Sequence, residues 1–216
     1  MKTHVLVVLF ALLCHASARA VTLVPAPPGI NADAYLLMDF VTGEVLVEHN
    51  IDTRLPPASL TKLMKSYILA EEVDAGRLSL DDEVTVSRNA WSQNPQFRGS
   101  SLMWIEPGKK VTVGELEQGI VISSGNDATV AIAEHIAGSE EAFVALRNSY
   151  AEELGLTATH FENTHGLPNS DHLTTARDLG ALASATIRDH PDRYRVYRQQ
   201  SYTYNDITQH NRNHLL

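Results

Sequence analysis

Helix signals follow one another almost without a break from residue 112 to residue 191, and they limit this chain to folds with a largely helical interior. Thr112-Val113-Gly114-Glu115 has the Thr-x-x-Glu form of a capping box, in which both side chains satisfy N–H groups that the first turn leaves open. An apolar helix is expected after it, over residues 116–122, and Ser123-Ser124-Gly125-Asn126 breaks it. Residues 127–137 carry Val130, Ala131, Ala133 and Ile136 and predict a second helix. Residues 139–154 predict a third, with Gly155 as its terminal glycine. Thr175-Ala176-Arg177-Asp178 has capping character before a fourth, over residues 179–187, which Pro191 is expected to end. Upstream, after Pro56-Pro57, the stripe Leu60, Leu63, Met64, Tyr67 and Ile68 predicts a buried helix face running to Val73. Strand-like runs lie near the ends: residues 35–40 and 45–48 flank a turn at Val41-Thr42-Gly43-Glu44, and Tyr202-Thr203-Tyr204 reads as a lone late strand. Residues 77–111 read as loops with short elements.

Two hundred and sixteen residues suit one domain or two small lobes. The first 20 residues read as an address: Lys2 supplies the positive start, residues 5–14 an apolar run, and Ala18-Arg19-Ala20 a small-x-small cleavage pattern. That run is too short to cross a bilayer, which takes roughly 20 residues, and no later segment is apolar enough to do so. Cleavage would remove Cys14, the single cysteine, and leave an acidic, thiol-free chain suited to an oxidising compartment outside the cytoplasm. With 17 basic residues against 26 acidic, the chain lacks the basic face that nucleic-acid binding needs. Residues 21–34, with Pro25, Pro27, Pro28 and Gly29, read as an extended arm.

Ser59-Leu60-Thr61-Lys62 is the first candidate for chemistry. Residues three apart share a helix face, so the Ser59 hydroxyl and the Lys62 amine are neighbours. A serine is a poor nucleophile until a base takes its proton, and a lysine is that base only when neutral. Burial beside apolar groups and other cations can bring its proton affinity down far enough, and the apolar stripe makes burial plausible. A helix start also favours a developing oxyanion. Fifteen serines and five lysines give about 0.35 chance matches, so the tetrad alone leaves Ser59 as an N-cap and Lys62 as a snorkelling surface residue equally open. Of three Ser-x-Asn triplets, only Ser124-Gly125-Asn126 interrupts two apolar helices, where packing would pin a polar turn against a cleft.

Taken together, Pro-Ala-Ser-Leu-Thr-Lys at 57–62 and Ser-Gly-Asn-Asp-Ala at 124–128 make the chain resemble the penicillin-recognising serine acyl-enzymes. Gly125 between Ser124 and Asn126 leans toward the low-molecular-mass D-alanyl-D-alanine carboxypeptidases. Gly99-Ser100-Ser101-Leu102-Met103, Gly138-Ser139-Glu140, Asn148-Ser149-Tyr150, Thr159-His160-Phe161, His165-Gly166-Leu167 and Asn211-Arg212-Asn213 are similar to stretches of those enzymes in the same order. The resemblance implies an α/β, β-lactamase/transpeptidase-like fold with an antiparallel sheet lobe and an all-helical lobe. It implies Ser59 as acyl-ester nucleophile, Lys62 as proton acceptor, Ser124 as proton shuttle to the leaving D-alanine, and Asn126 as holder of the substrate amide. The backbone N–H of Ser59 would belong to the oxyanion hole, and His165 and Arg212 would border the site. The partners implied are peptidoglycan stem peptides ending in D-Ala-D-Ala, with β-lactams as inhibitors; the location is the bacterial periplasm, and no cofactor is called for.

The family's Lys-Thr-Gly strand is not found, because no lysine follows Lys110. The expectation is therefore residues 21–216 as the N-terminal portion of the catalytic domain, with an incomplete sheet, and membrane attachment only through a C-terminal segment beyond Leu216. On that view these residues alone would be poorly soluble or partly unfolded and without carboxypeptidase activity, with Leu63, Met64, Tyr67 and Ile68 partly uncovered. An inactive fragment is one alternative, which the DNA past codon 216 would decide. A metal hydrolase using His160, His165 and His172, or His210 and His214, is the other; it lacks a His-Glu-x-x-His set, so no metal is expected.

Overall fold

The structure, a computed structural model, describes residues 29–216. The expected export signal and most of the proline-rich arm lie outside the described residues. The first hairpin pairs β1 (Tyr35–Met38) with β2 (Val45–His49), Tyr35 facing His49. Its turn is held by the Asp39 carboxylate, which accepts the N–H groups of Val41 and Thr42. β3 (Glu83–Thr85) pairs antiparallel with β4 (Lys110–Thr112), Val84 opposite Val111.

A 3-10 turn, Ala58–Thr61, leads into α1 (Lys62–Asp74). Leu60 lies in that turn, not in the helix, so it falls out of the predicted stripe and is 60% exposed. Of the rest of the stripe, Leu63 is partly buried and the other three are covered. Met64, Tyr67 and Ile68 pack into a cluster with Phe143, Phe161 and Leu182, while Leu69 joins a second cluster with Phe97, Met103, Leu116 and Val130. Side chains from helices and loops thus cover Met64, Tyr67 and Ile68, and of the residues expected to be partly uncovered only Leu63 remains partly exposed. Each such buried side chain contributes roughly 1.5–3 kcal/mol.

The capped helices appear where their signals stand. In α2 (Val113–Val121), Thr112 Oγ1 accepts the Glu115 N–H and the Glu115 carboxylate accepts the Thr112 N–H. α3 (Asn126–Ala137), α4 (Glu140–Glu153) and α5 (Ala176–Asp189) follow, with Ser139 and Thr175 as N-caps of the last two. Pro191 does more than end α5: it sits at the first position of α6 (Pro191–Tyr194), where its missing N–H costs nothing. The lone late strand is corrected to a hairpin, β5 (Ser201–Tyr204) with β6 (Ile207–His210). Asn205 and Asp206 both take positive φ, 49° and 63°, as a two-residue hairpin turn with the twist of its strands requires. The fold is α/β, and among the described residues its strands come as three separate antiparallel pairs.

Candidate active site

Three stretches far apart in the sequence meet at the start of α1. The first is the 3-10 turn bearing Ser59. Ala58 just before it has φ +48°, a left-handed conformation that a non-glycine residue adopts at a cost of about 1–3 kcal/mol. That strain is held in place by the second stretch, residues 163–167. Gly166, at φ +86°, comes so close to the Ala58 carbonyl that any added Cβ would overlap it. Asn163 Oδ1 accepts the Gly166 N–H at 2.7 Å. Two short bridges, Leu55 with Thr174 and His160 with Leu173, anchor the surrounding segment beside the turn.

Lys62, the first residue of α1, is only 5% exposed. Its Nζ donates to the His165 carbonyl at 2.8 Å and stands 3.3 Å from Ser59 Oγ. Burial lowers its pKa to about 7; the positive charges of Arg147 and then Arg212 add to the effect, and Asp127 opposes it. About half of the amines are therefore neutral near pH 7. A neutral amine keeps one N–H for the His165 carbonyl and turns its lone pair to the Ser59 hydroxyl, the geometry of a general base.

The third stretch joins α2 to α3. Ser124 has φ +57°, and among the described residues its Oγ finds no hydrogen-bond partner. Asn126, 3% exposed, likewise leaves its Oδ1 without one. Buried polar atoms are satisfied in the great majority of cases, so two orphans two residues apart in one turn leave hydrogen-bonding capacity unused there. The turn is rigid: Asp127 accepts the N–H groups of Met103, Trp104, Ile105 and Ala128, and the Asn126 N–H donates to the Ser101 carbonyl. A cavity of about 170 Å³ is lined by Ser59, Lys62, Ser66, Ser124 and Tyr197 among others. A larger one, about 760 Å³, runs from Ser59 past Ser100, Asn126 and His165. Ser59 belongs to both: Lys62 and Ser124 line the smaller cavity with it, and Asn126 the larger.

The histidines are otherwise employed. His172 uses both ring nitrogens, one with Thr61 Oγ1 at 2.7 Å and the other accepting the Glu162 N–H. Burial pushes His165 and His172 down to about 4, so both rings are neutral at pH 7. Among the described residues no group of three or more His, Cys, Asp or Glu is arranged to hold a metal ion.

Sequence reasoning overlooked Lys65 and Arg147, both 0% exposed. Lys65 Nζ donates to Thr129 Oγ1, which donates in turn to the Gly125 carbonyl and so ties α1 to the Ser124 turn. Burial drives the Lys65 amine well below the usual lysine range. The available signal was position: Lys65 follows Met64 directly, and Arg147 falls four residues from both Phe143 and Ala151 on a buried face.

Comparisons with known proteins bear on the same region. The family profile described as peptidase S11, D-alanyl-D-alanine carboxypeptidase, matches residues 21–216. The D-alanyl-D-alanine carboxypeptidase DacC of Escherichia coli is 46% identical over 190 residues, which are 88% of this chain and 48% of that protein. DacD of Salmonella typhimurium is 48% identical over 201 residues, 93% of this chain and 52% of its own length. Penicillin-binding protein 6B of Escherichia coli superposes with a TM-score of 0.84 at 46% identity, covering 90% of this chain and 62% of that one. Penicillin-binding protein D2 of Listeria monocytogenes, in its ampicillin-bound form, gives 0.74 at 26% identity over 89% of this chain and 70% of that one. The chain spans about half the length of the curated relatives it matches.

Proposed function

The chain belongs to the D-alanyl-D-alanine carboxypeptidase family, and from that premise we propose that it contributes the nucleophilic centre of a serine-type hydrolase that trims the terminal D-alanine from peptidoglycan stem peptides. The observation that carries this reading is the Ser59–Lys62 pair: a hydroxyl 3.3 Å from a buried amine whose pKa is lowered to about 7. Lys62 takes the Ser59 proton as Oγ attacks the carbonyl of the penultimate D-alanine. The backbone N–H of Ser59 and the start of α1 stabilise the oxyanion. Ser124 passes a proton to the departing D-alanine amine, and Asn126 holds the substrate amide. Water then cleaves the Ser59 ester. A β-lactam follows the same first step and remains as the ester.

Residues 1–20 are read as an export signal and residues 21–216 as part of the catalytic domain, which places the work in the periplasm, with any membrane attachment supplied by a C-terminal segment. No helix among the described residues is long and apolar enough to cross a membrane. D-alanine release from a diacyl-Lys-D-Ala-D-Ala peptide tests the reading on the intact protein. Release should be lost in Ser59→Ala; release that survives this change, or that a chelator stops, overturns it.

A further inference from the structure

The chemistry outlined leaves one buried cation without a task. Arg147 lies on α4 with its guanidinium carbon 4.1 Å above the Phe161 ring. Its Nη1 donates to the Asn163 carbonyl at 2.6 Å, and its Nη2 donates to the Thr61 carbonyl. Among the described residues no carboxylate pairs with it, and its Nε has no partner at all. The nearby Glu140 offsets part of the burial by its charge but makes no ion pair with Arg147; it accepts from Thr164 and lies 3.7 Å from His165 Nε2. Burying a guanidinium without a directly paired carboxylate is costly, and an apolar side chain would fill the same space with less penalty. Its position suggests what offsets that cost. Thr61 immediately precedes Lys62, and Asn163 opens the loop whose His165 carbonyl receives the Lys62 amine.

We propose that Arg147 is a positioning residue for the Ser59–Lys62 pair, clamping the Thr61 and Asn163 carbonyls so that the turn and the loop enclosing Lys62 keep their spacing, and fixing a positive charge on the carbonyl of the residue that precedes Lys62. The inference rests on the serine acyl-transfer reading for its catalytic meaning. The groups facing Lys62 sort themselves by charge. Lys65, on the same helix, is deeply buried and its proton affinity is depressed, and His165 in the loop is neutral at pH 7. Asp127 on α3 acts the other way, toward protonation. The cations are Arg147 and Arg212. Arg212 is exposed and donates to Ser101 Oγ at 2.6 Å, so solvent and salt screen it. Arg147, lowered by burial to about 9, is still charged at pH 7 and, being fully buried, is little screened by bulk solvent.

The test uses Arg147→Met, which keeps an unbranched chain over Phe161 while deleting charge and fork, and Arg147→Lys, which keeps the charge but lacks the rigid planar fork that holds both carbonyls. Lys62 is titrated directly by NMR of intact protein labelled with 13C at the lysine ε carbons; the chain has five lysines, so the spectrum is simple. Acylation of Ser59 by a labelled β-lactam is followed against pH in parallel. In Arg147→Met the Lys62 midpoint should rise above its wild-type value, with acylation at neutral pH slower by roughly tenfold for each unit of that rise and recovering in alkali. Arg147→Lys should acylate more slowly than wild type at every pH. An unmoved midpoint and profile in Arg147→Met, or, should that variant not fold, wild-type acylation in Arg147→Lys, overturns the proposal and leaves Arg147 as packing. Failure of the unaltered protein to acylate at Ser59 would strike the serine reading instead, and the Lys62 midpoints would still decide the role of Arg147.

Discussion

Lys62 shows how a single residue's surroundings can turn a surface-type side chain into a base. An exposed lysine at pH 7 holds its proton almost completely, whereas this one is 5% exposed, faces a backbone carbonyl and feels the positive charge of a buried guanidinium. Lys62→Ala should abolish acylation of Ser59, a loss of at least 10²-fold for a positioned base, while circular dichroism shows an intact helical fold; near-normal acylation at neutral pH would make Lys62 structural. In the unaltered protein, acylation should rise with pH through about 7 as the amine loses its proton. The spacing of Ser59 and Lys62 was legible in the sequence because three residues is a helical distance. What lowers the amine's proton affinity was not, since Arg147 and the His165 carbonyl come from 85 and 103 residues away along the chain.

Elements whose signals are local were the ones the sequence could announce. The capping box at Thr112, the Ser139 and Thr175 caps and the first hairpin are each written within a few residues, and each formed. The second hairpin was missed although Asn205-Asp206 is itself a turn signal, because residues 207–210 carry little apolar alternation of their own. Leu60 was misplaced because nothing in the spacing distinguishes a 3-10 turn from the first turn of an α-helix. This separation of roles predicts a contrast between two variants. Thr112→Ala removes a cap and should cost about 1 kcal/mol in denaturant unfolding with acylation unchanged. Gly166→Ala forces a Cβ against the Ala58 carbonyl, so it should destabilise by about 1–3 kcal/mol and also slow acylation, because the loop bearing the His165 carbonyl must move. Equal acylation in the two variants would disconnect residues 163–167 from the site.

Across the whole molecule, α1 is the axis: one side closes the cluster around Phe143, Phe161 and Leu182, another the cluster around Phe97, Met103 and Leu116, and its first turn carries the chemistry. The fold class and the grouping of Ser59, Lys62, Ser124 and Asn126, with His165 at its border, were legible through the resemblance that their motifs carry; the contacts that hold these stretches together, Gly166 against Ala58 and Arg147 on the Thr61 and Asn163 carbonyls, were not, because no local pattern encodes contacts of such range. The same burial makes stability depend on pH. His165 and His172 titrate near 4 when folded and near 6.5 when unfolded, so the unfolded chain binds more protons between those values and stability must fall as pH drops through that window. The loss should be roughly 1–3 kcal/mol for each ring, and urea midpoints at pH 7 and pH 4 would detect it; equal midpoints would mean that the rings already carry protons in the folded state. The convergence itself is tested most directly by treating the intact protein with a labelled β-lactam and locating the label by peptide mapping. The account predicts one ester, on Ser59, absent from Ser59→Ala; a label on Ser124, or one that persists in Ser59→Ala, would contradict it.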